Sequence, residues 1–116
     1  MRLTQRKGDT AVAQAIATFT KMGFDVLIPL TESAAYDLVV DAEGALYRVQ
    51  VRYAGKNQVD LRRVHSNSKG YVVKKTTEQV YDWLFVLTGE NKKYLIRECF
   101  IGRRSVKPTA KDLLDD

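Results

Sequence analysis

The chain has 116 residues, enough for one hydrophobic core and too few for two, and its 45% apolar and 28% charged residues are those of an ordinary globular protein. No apolar run approaches the roughly 20 residues that a membrane-crossing helix needs. The basic start MRLTQRKGDT has no apolar block behind it, so neither a membrane span nor a secretory signal is expected. A formal net charge of +5 favours a polyanionic partner, while a single cysteine, Cys99, and a single histidine, His65, leave no internal disulfide and no zinc constellation. A lone thiol of this kind suits a structural role in a reducing, cytoplasmic compartment.

The first expected element is an amphipathic helix over 10–22, with Val12, Ala15, Ile16 and Phe19 at i, i+3, i+4 and i+7, Asp9 as its N-cap and Gly23 as its stop. DVLIPL (25–30) reads as a short strand closed by Pro29. YDLVVD (36–41) and LYRVQVRY (46–53) then form a hairpin around the turn AEGA. A two-residue turn at Glu43 and Gly44 puts Asp37 directly opposite Gln50, with Arg52 on the diagonal. Alternation gives Arg48, Gln50 and Arg52 one common face. Arg48 is expected to pair with an acid such as Asp41 or Glu43.

Beyond the hairpin, VDLRRV (59–64) reads as a strand, HSNSKG (65–70) as a polar loop, YVVKK as an extension of the sheet, and TTEQVYD (76–82) as the start of a short helix. WLFVLT (83–88) and KYLIREC (93–99) are strands joined by GENK. Trp83, Phe85, Tyr94 and Phe100 are core candidates rather than stacking platforms. Residues 106–116 have few apolar anchors and an acidic end, so they read as a poorly ordered tail behind a single domain spanning 1–105. The order of helix, three strands, irregular region and two strands describes an α/β sandwich with a mixed β-sheet and flanking helices.

The hairpin carries the chemistry. An acid entering one strand and a polar-X-basic triplet on the next set oxygen ligands beside a cation, the arrangement that phosphodiester hydrolysis needs. Asp37 offers a carboxylate, Gln50 an amide oxygen and Val51 a backbone carbonyl. These oxygen donors suit Mg²⁺ or Mn²⁺ rather than zinc.

KGD (7–9), GFDVLIPL (23–30), YDLVV (36–40), RVQVRY (48–53) and HSNS (65–68) together resemble the PD-(D/E)XK nuclease superfamily. They are most similar to the Q-X-K branch, which includes cyanobacterial group I intron homing endonucleases. The resemblance runs from about Lys7 to Ser105. It implies a restriction-endonuclease-like fold and metal-dependent cleavage of double-stranded DNA by a homodimer or homotetramer. Mapped onto that motif, Asp37 is the metal-binding acid and Gln50 replaces the usual second acid. Arg52 stands where the family has its catalytic Lys, and Val12 where the first helix usually carries Glu. Asp9, three residues before Val12 and on nearly the same helix face, is a candidate substitute carboxylate.

Candidate DNA contacts are Lys7, Arg62, Arg63, Lys69, Lys74, Lys75, Arg103 and Arg104, with His65, Ser66 and Ser68 as hydrogen-bonding groups. The same cations also read as a solvated face, and His65 as a residue holding its own loop. Three functions follow: an endonuclease, a DNA-binding module of the same fold without turnover, and a protein whose hairpin charges serve only an oligomer interface.

Overall fold

The computed structural model describes residues 3–31, 33–56, 58–61, 63–67, 70–74 and 79–115. Helix α1 spans Leu3–Lys21, because Ala11, Ala15 and Phe19 recur on one stripe, with Val12 and Ile16 beside them. It starts at Leu3 rather than near residue 10, so Asp9 lies inside the helix and is not its N-cap. The residues that resemble a start signal are satisfied within the helix instead: Thr10 Oγ1 donates to Arg6 O at 2.8 Å. Gly23 ends it as expected. At φ 88° it takes the left-handed conformation, and Phe24 N donates back to Phe19 O at 3.0 Å.

Nine strands follow among the described residues: β1 (Asp25–Leu27), β2 (Leu38–Ala42), β3 (Ala45–Ala54), β4 (Val59–Asp60), β5 (Arg63–Asn67), β6 (Gly70–Lys74), β7 (Trp83–Thr88), β8 (Lys93–Ile96) and β9 (Ser105–Val106). Five of them form the main sheet in the order β1-β2-β3-β7-β8. Within it only β3 and β7 run parallel, so the sheet is mixed. Glu43 at φ 56° and Gly44 at φ 94° make the two-residue hairpin turn, and Gly44 N donates to Asp41 Oδ1 at 2.9 Å. The resulting register, Ala42 against Ala45 through Leu38 against Val49, is the one that turn length predicts.

The sheet is covered on both faces. On one, α1 packs Ala11, Ala15 and Phe19 against Leu38, Val40, Val49, Val51, Trp83 and Phe85. On the other, Leu84, Val86 and Ile96 meet Val59, Leu61, Tyr81, Phe100 and Val106. All six residues of β7 are therefore buried, which explains its unbroken apolar run. The second face is closed by strands and loops, and among the described residues α1 is the only α-helix.

Several expectations change here. The segment 59–64 splits into β4, which pairs with β9, and the start of β5. The expected polar loop at 65–70 instead contributes His65, Ser66 and Asn67 to β5, which pairs with β6 in its own hairpin, so YVVK does not extend the main sheet. Residues 79–82 are not helical, and 75–78 lie outside the described residues. The segment read as a tail is held at several points: Val106 is buried in β9, Leu113 bridges Tyr94, and Leu114 N donates to Lys93 O at 2.8 Å. Among the described residues no helix is long and apolar enough to cross a membrane.

Candidate active site

The β2–β3 ladder reaches Leu38 and Val49, and Asp37 extends it by one bond from its N–H to Val49 O at 2.9 Å. Past that point the Asp37 carboxylate takes over from the backbone. Its Oδ2 accepts the Val51 N–H at 2.7 Å and the Gln50 side-chain Nε2 at 3.2 Å. Arg52 bends back along its own strand, and Nη1 donates to Val51 O at 3.2 Å. Asp37, Gln50, Val51 and Arg52 therefore meet in one cluster, as the hairpin register predicts. Gln50 is 7% exposed, a buried amide whose nitrogen is satisfied by a carboxylate, while Arg52 is half-buried.

Alternation along β3 fixes the direction of these side chains. Val49, Val51 and Tyr53 point to the α1 side, so Gln50 and Arg52 leave the opposite face, above Leu84 and Val86 of β7. Asp9 is exposed on α1, in the layer on the other side of the sheet, and the structure does not bring it beside Gln50 and Arg52. Val12 is half-buried against the α1-side core.

Arg48 continues the same face toward the start of β3. Its partner is Asp82 rather than Asp41 or Glu43, because the parallel pairing of β3 with β7 brings residue 82 alongside. Asp82 Oδ2 accepts the Arg48 backbone N–H at 2.8 Å and Nε at 3.2 Å, and Oδ1 accepts Nη2 at 3.3 Å. Asp82 N returns a bond to Arg48 O at 2.8 Å, so one residue closes the mouth of the parallel pair. Partial burial raises the Asp82 carboxyl, but the side-chain and backbone hydrogen bonds from Arg48 and its charge outweigh this, and the carboxyl ends below its ordinary value of 3.8.

A depressed folded-state value means stability that is present above the ordinary carboxylate range and disappears as pH falls through the lower folded value. Asp82→Asn is thus expected to cost about 1–2 kcal/mol at neutral pH, the low part of the range for charged hydrogen bonds because water screens a half-exposed pair. Urea unfolding of both proteins across acid pH checks it: the gap closes below pH 3.8. A gap that persists unchanged there contradicts the assignment.

Near Arg52, Tyr81 is buried, its hydroxyl accepts the Phe100 N–H at 3.4 Å, and burial pushes its phenol up to about 12. The phenol stays neutral at physiological pH.

Among the candidate DNA contacts, Lys7 is on α1 with Nζ 5.4 Å from the Tyr53 ring centroid. Arg103 lies with its guanidinium 5.1 Å from the centre of Phe100, and Arg104 accepts the Leu61 N–H through its carbonyl. Arg63, His65 and Ser66 lie on β5 and Lys74 on β6, a hairpin separate from the main sheet. Arg62, Ser68, Lys69 and Lys75 lie outside the described residues. Among the described residues, no three of His, Cys, Asp and Glu gather closely enough to hold a metal; the Asp37 carboxylate meets the Gln50 amide nitrogen and the Val51 N–H rather than further acids.

The family profile described as PD-(D/E)XK endonuclease matches residues 2–105. The chain belongs to the PD-(D/E)XK endonuclease family. Among solved structures, a bacterial homing endonuclease, I-Ssp6803I, is similar with a TM-score of 0.77 at 29% identity, over 96% of this chain and 81% of that one. No curated protein matches. The five-stranded mixed sheet backed by α1 is the restriction-endonuclease-like α/β fold of PD-(D/E)XK nucleases.

Sequence reasoning about this PD-(D/E)XK domain missed Asp82. It sits 34 residues from its partner Arg48, across a parallel pairing that no turn specifies. Its only local signal is an acid directly before a continuous apolar run. In the sequence Lys56 stands with Arg48 and Arg52, and Lys107 with Arg103 and Arg104, in clusters of positive charge; the structure sets Lys56, Arg104 and Lys107 along one broad groove.

Proposed function

We propose that this PD-(D/E)XK domain is a divalent-metal-dependent DNA endonuclease whose turnover is held down by Arg52 and Val12. The observation that carries the reading is the convergence of the Asp37, Gln50 and Arg52 side chains around the Val51 peptide, with the Gln50 amide and the Val51 N–H bonded to the same carboxylate oxygen.

The donor set fits Mg²⁺ or Mn²⁺. Asp37 Oδ1, the Gln50 amide oxygen and the Val51 carbonyl are hard oxygen donors, and one carboxylate with two neutral oxygens leaves room for water and phosphate oxygens. The Gln50 amide donates to Asp37 as it stands, so binding requires the amide to turn its oxygen toward the carboxylate. When bound, the cation stabilises charge on the phosphate and lowers the pKa of an attacking water.

The chain's own residues do the rest. Asp37 fixes the position of the Val51 peptide. Arg52, anchored on the Val51 carbonyl, aims a permanent positive charge where the phosphate gains negative charge. A guanidinium does not release its proton at neutral pH, so Arg52 stabilises charge but takes no proton from water. Val12 adds no oxygen at the position where the family usually carries Glu. A homodimer or homotetramer follows from the need for two centres to cut both strands. The exposed Leu27 and Ile28 on and beside edge strand β1 offer such copies an apolar contact.

A second reading, a DNA-binding domain of the same fold without turnover, is favoured by the same two positions, Arg52 and Val12. Nicking of supercoiled plasmid with Mg²⁺ or Mn²⁺, against a chelator control, separates them. Slow metal-dependent nicking supports the nuclease. Salt-sensitive DNA binding without cleavage, in both the parent and Arg52→Lys, supports the binding module and overturns the first reading.

A further inference from the structure

A broad groove lies beyond the end of β3, away from the cluster. Its walls are the turn after β3, with Lys56, and the segment through β9, with Arg104 and Lys107; its volume is about 880 Å³. Gln58 Nε2 donates to Ser105 Oγ at 2.7 Å across it, Asp60 pairs with Ser105, and Leu61 N donates to Arg104 O at 2.9 Å. Buried Val59, Leu61 and Val106 fix these walls to the second face of the sheet, the face from which Gln50 and Arg52 project. The groove is open to water and lined by three cations against one carboxylate, Asp60.

We infer that this groove is a second contact for the phosphate backbone of double-stranded DNA, holding the duplex at a distance from the Asp37–Gln50 cluster. Lys56 is six residues after Gln50, so even a fully extended chain puts it no more than about 22 Å away. One turn of B-DNA is about 34–36 Å long. A duplex lying on the cluster and following this face reaches the groove within a single turn. Phosphates there carry no sequence information to read, so the contact fixes register and orientation, and Lys and Arg in an open cleft are the chemistry for that role. The inference deepens the DNA-cleaving reading above and rests on it.

The test is the salt dependence of binding to a duplex about three turns long, measured in Ca²⁺ so that no cleavage intervenes. The parent chain is compared with the triple variant Lys56→Ala/Arg104→Ala/Lys107→Ala and with a control, Lys21→Ala/Lys92→Ala, whose lysines are exposed elsewhere. All three side chains of the groove variant are exposed, and a thermal melt establishes that it folds. The slope of log affinity against log salt is expected to fall by roughly 0.9 for each phosphate that the groove variant no longer neutralises, and by less per charge in the control. Arg104→Lys alone is expected to keep the parent slope. An unchanged slope in the triple variant, or an equal fall per charge in the control, overturns the groove while leaving the nuclease reading intact. A parent chain that shows no salt-sensitive binding to the duplex overturns both.

Discussion

Arg52→Lys is expected to raise single-turnover nicking of supercoiled plasmid by about 10²–10⁴-fold over the parent chain, the range that a positioned acid–base group contributes. The reasoning starts from proton chemistry. The guanidinium of Arg52 stays charged at any pH at which DNA is handled, so in the parent it can only neutralise developing charge. A Lys at the same point, on the face shared with Gln50 and beside the Val51 carbonyl, keeps a cation for the phosphate. Its pKa can also be depressed by a neighbouring metal ion, so it exchanges a proton with the attacking water. The gain should grow with pH in the variant and stay flat in the parent. An Arg52→Lys protein no faster than the parent with either Mg²⁺ or Mn²⁺ would contradict the role given to this position.

Asp37 gives the second large effect, and two substitutions separate its two duties. Asp37→Asn retains an oxygen able to accept the Val51 N–H, so the fold survives, but it removes the carboxylate from the donor set. Loss of a cation worth several kcal/mol to the transition state corresponds to at least about 10²-fold in rate. Asp37→Ala removes the acceptor as well. The Val51 N–H, in a residue 5% exposed, then has no partner at 2.7 Å, which costs about 1–3 kcal/mol of stability. The expected pattern is thus two inactive proteins, one melting close to the parent and the other several degrees lower. An Asp37→Asn protein that nicks plasmid at the parent rate would show that this carboxylate serves the fold alone.

How much of this was legible in the sequence depended on how local its cause is. The hairpin was readable because Glu43-Gly44 forces a two-residue turn, and that turn alone sets Asp37 against Gln50. The buried strand Trp83–Thr88 was readable because an unbroken apolar run closed by a threonine fits a strand covered on both faces. The start of α1 lies earlier than expected: Asp9 reads as a cap, yet the helix runs through it back to Leu3, with Thr10 Oγ1 bonded to Arg6 O. The β5–β6 hairpin was missed because Asn67 and Gly70 are paired across Ser68-Lys69, which lacks the Asn-Gly or Asp-Gly signal.

Non-local features were invisible. Asp82 reaches Arg48 only once β7 lies parallel to β3, and the groove of Lys56, Arg104 and Lys107 exists only because β4 pairs with β9. The family resemblance supplied what periodicity does not: a reason to read an acid, an amide and a cation on one hairpin face as a nuclease centre and not as a solvated surface. Membership of the PD-(D/E)XK family bears out that resemblance at the level of fold and class.

The most direct measurement is a crystal of the full chain soaked in Mn²⁺ and probed for anomalous scattering at the Mn edge. A peak within coordinating distance of Asp37 Oδ1, the turned Gln50 amide oxygen and the Val51 carbonyl is the predicted result. Well-ordered density in which Gln50 Nε2 still donates to Asp37, with no Mn²⁺ beside them at saturating concentration, would contradict it.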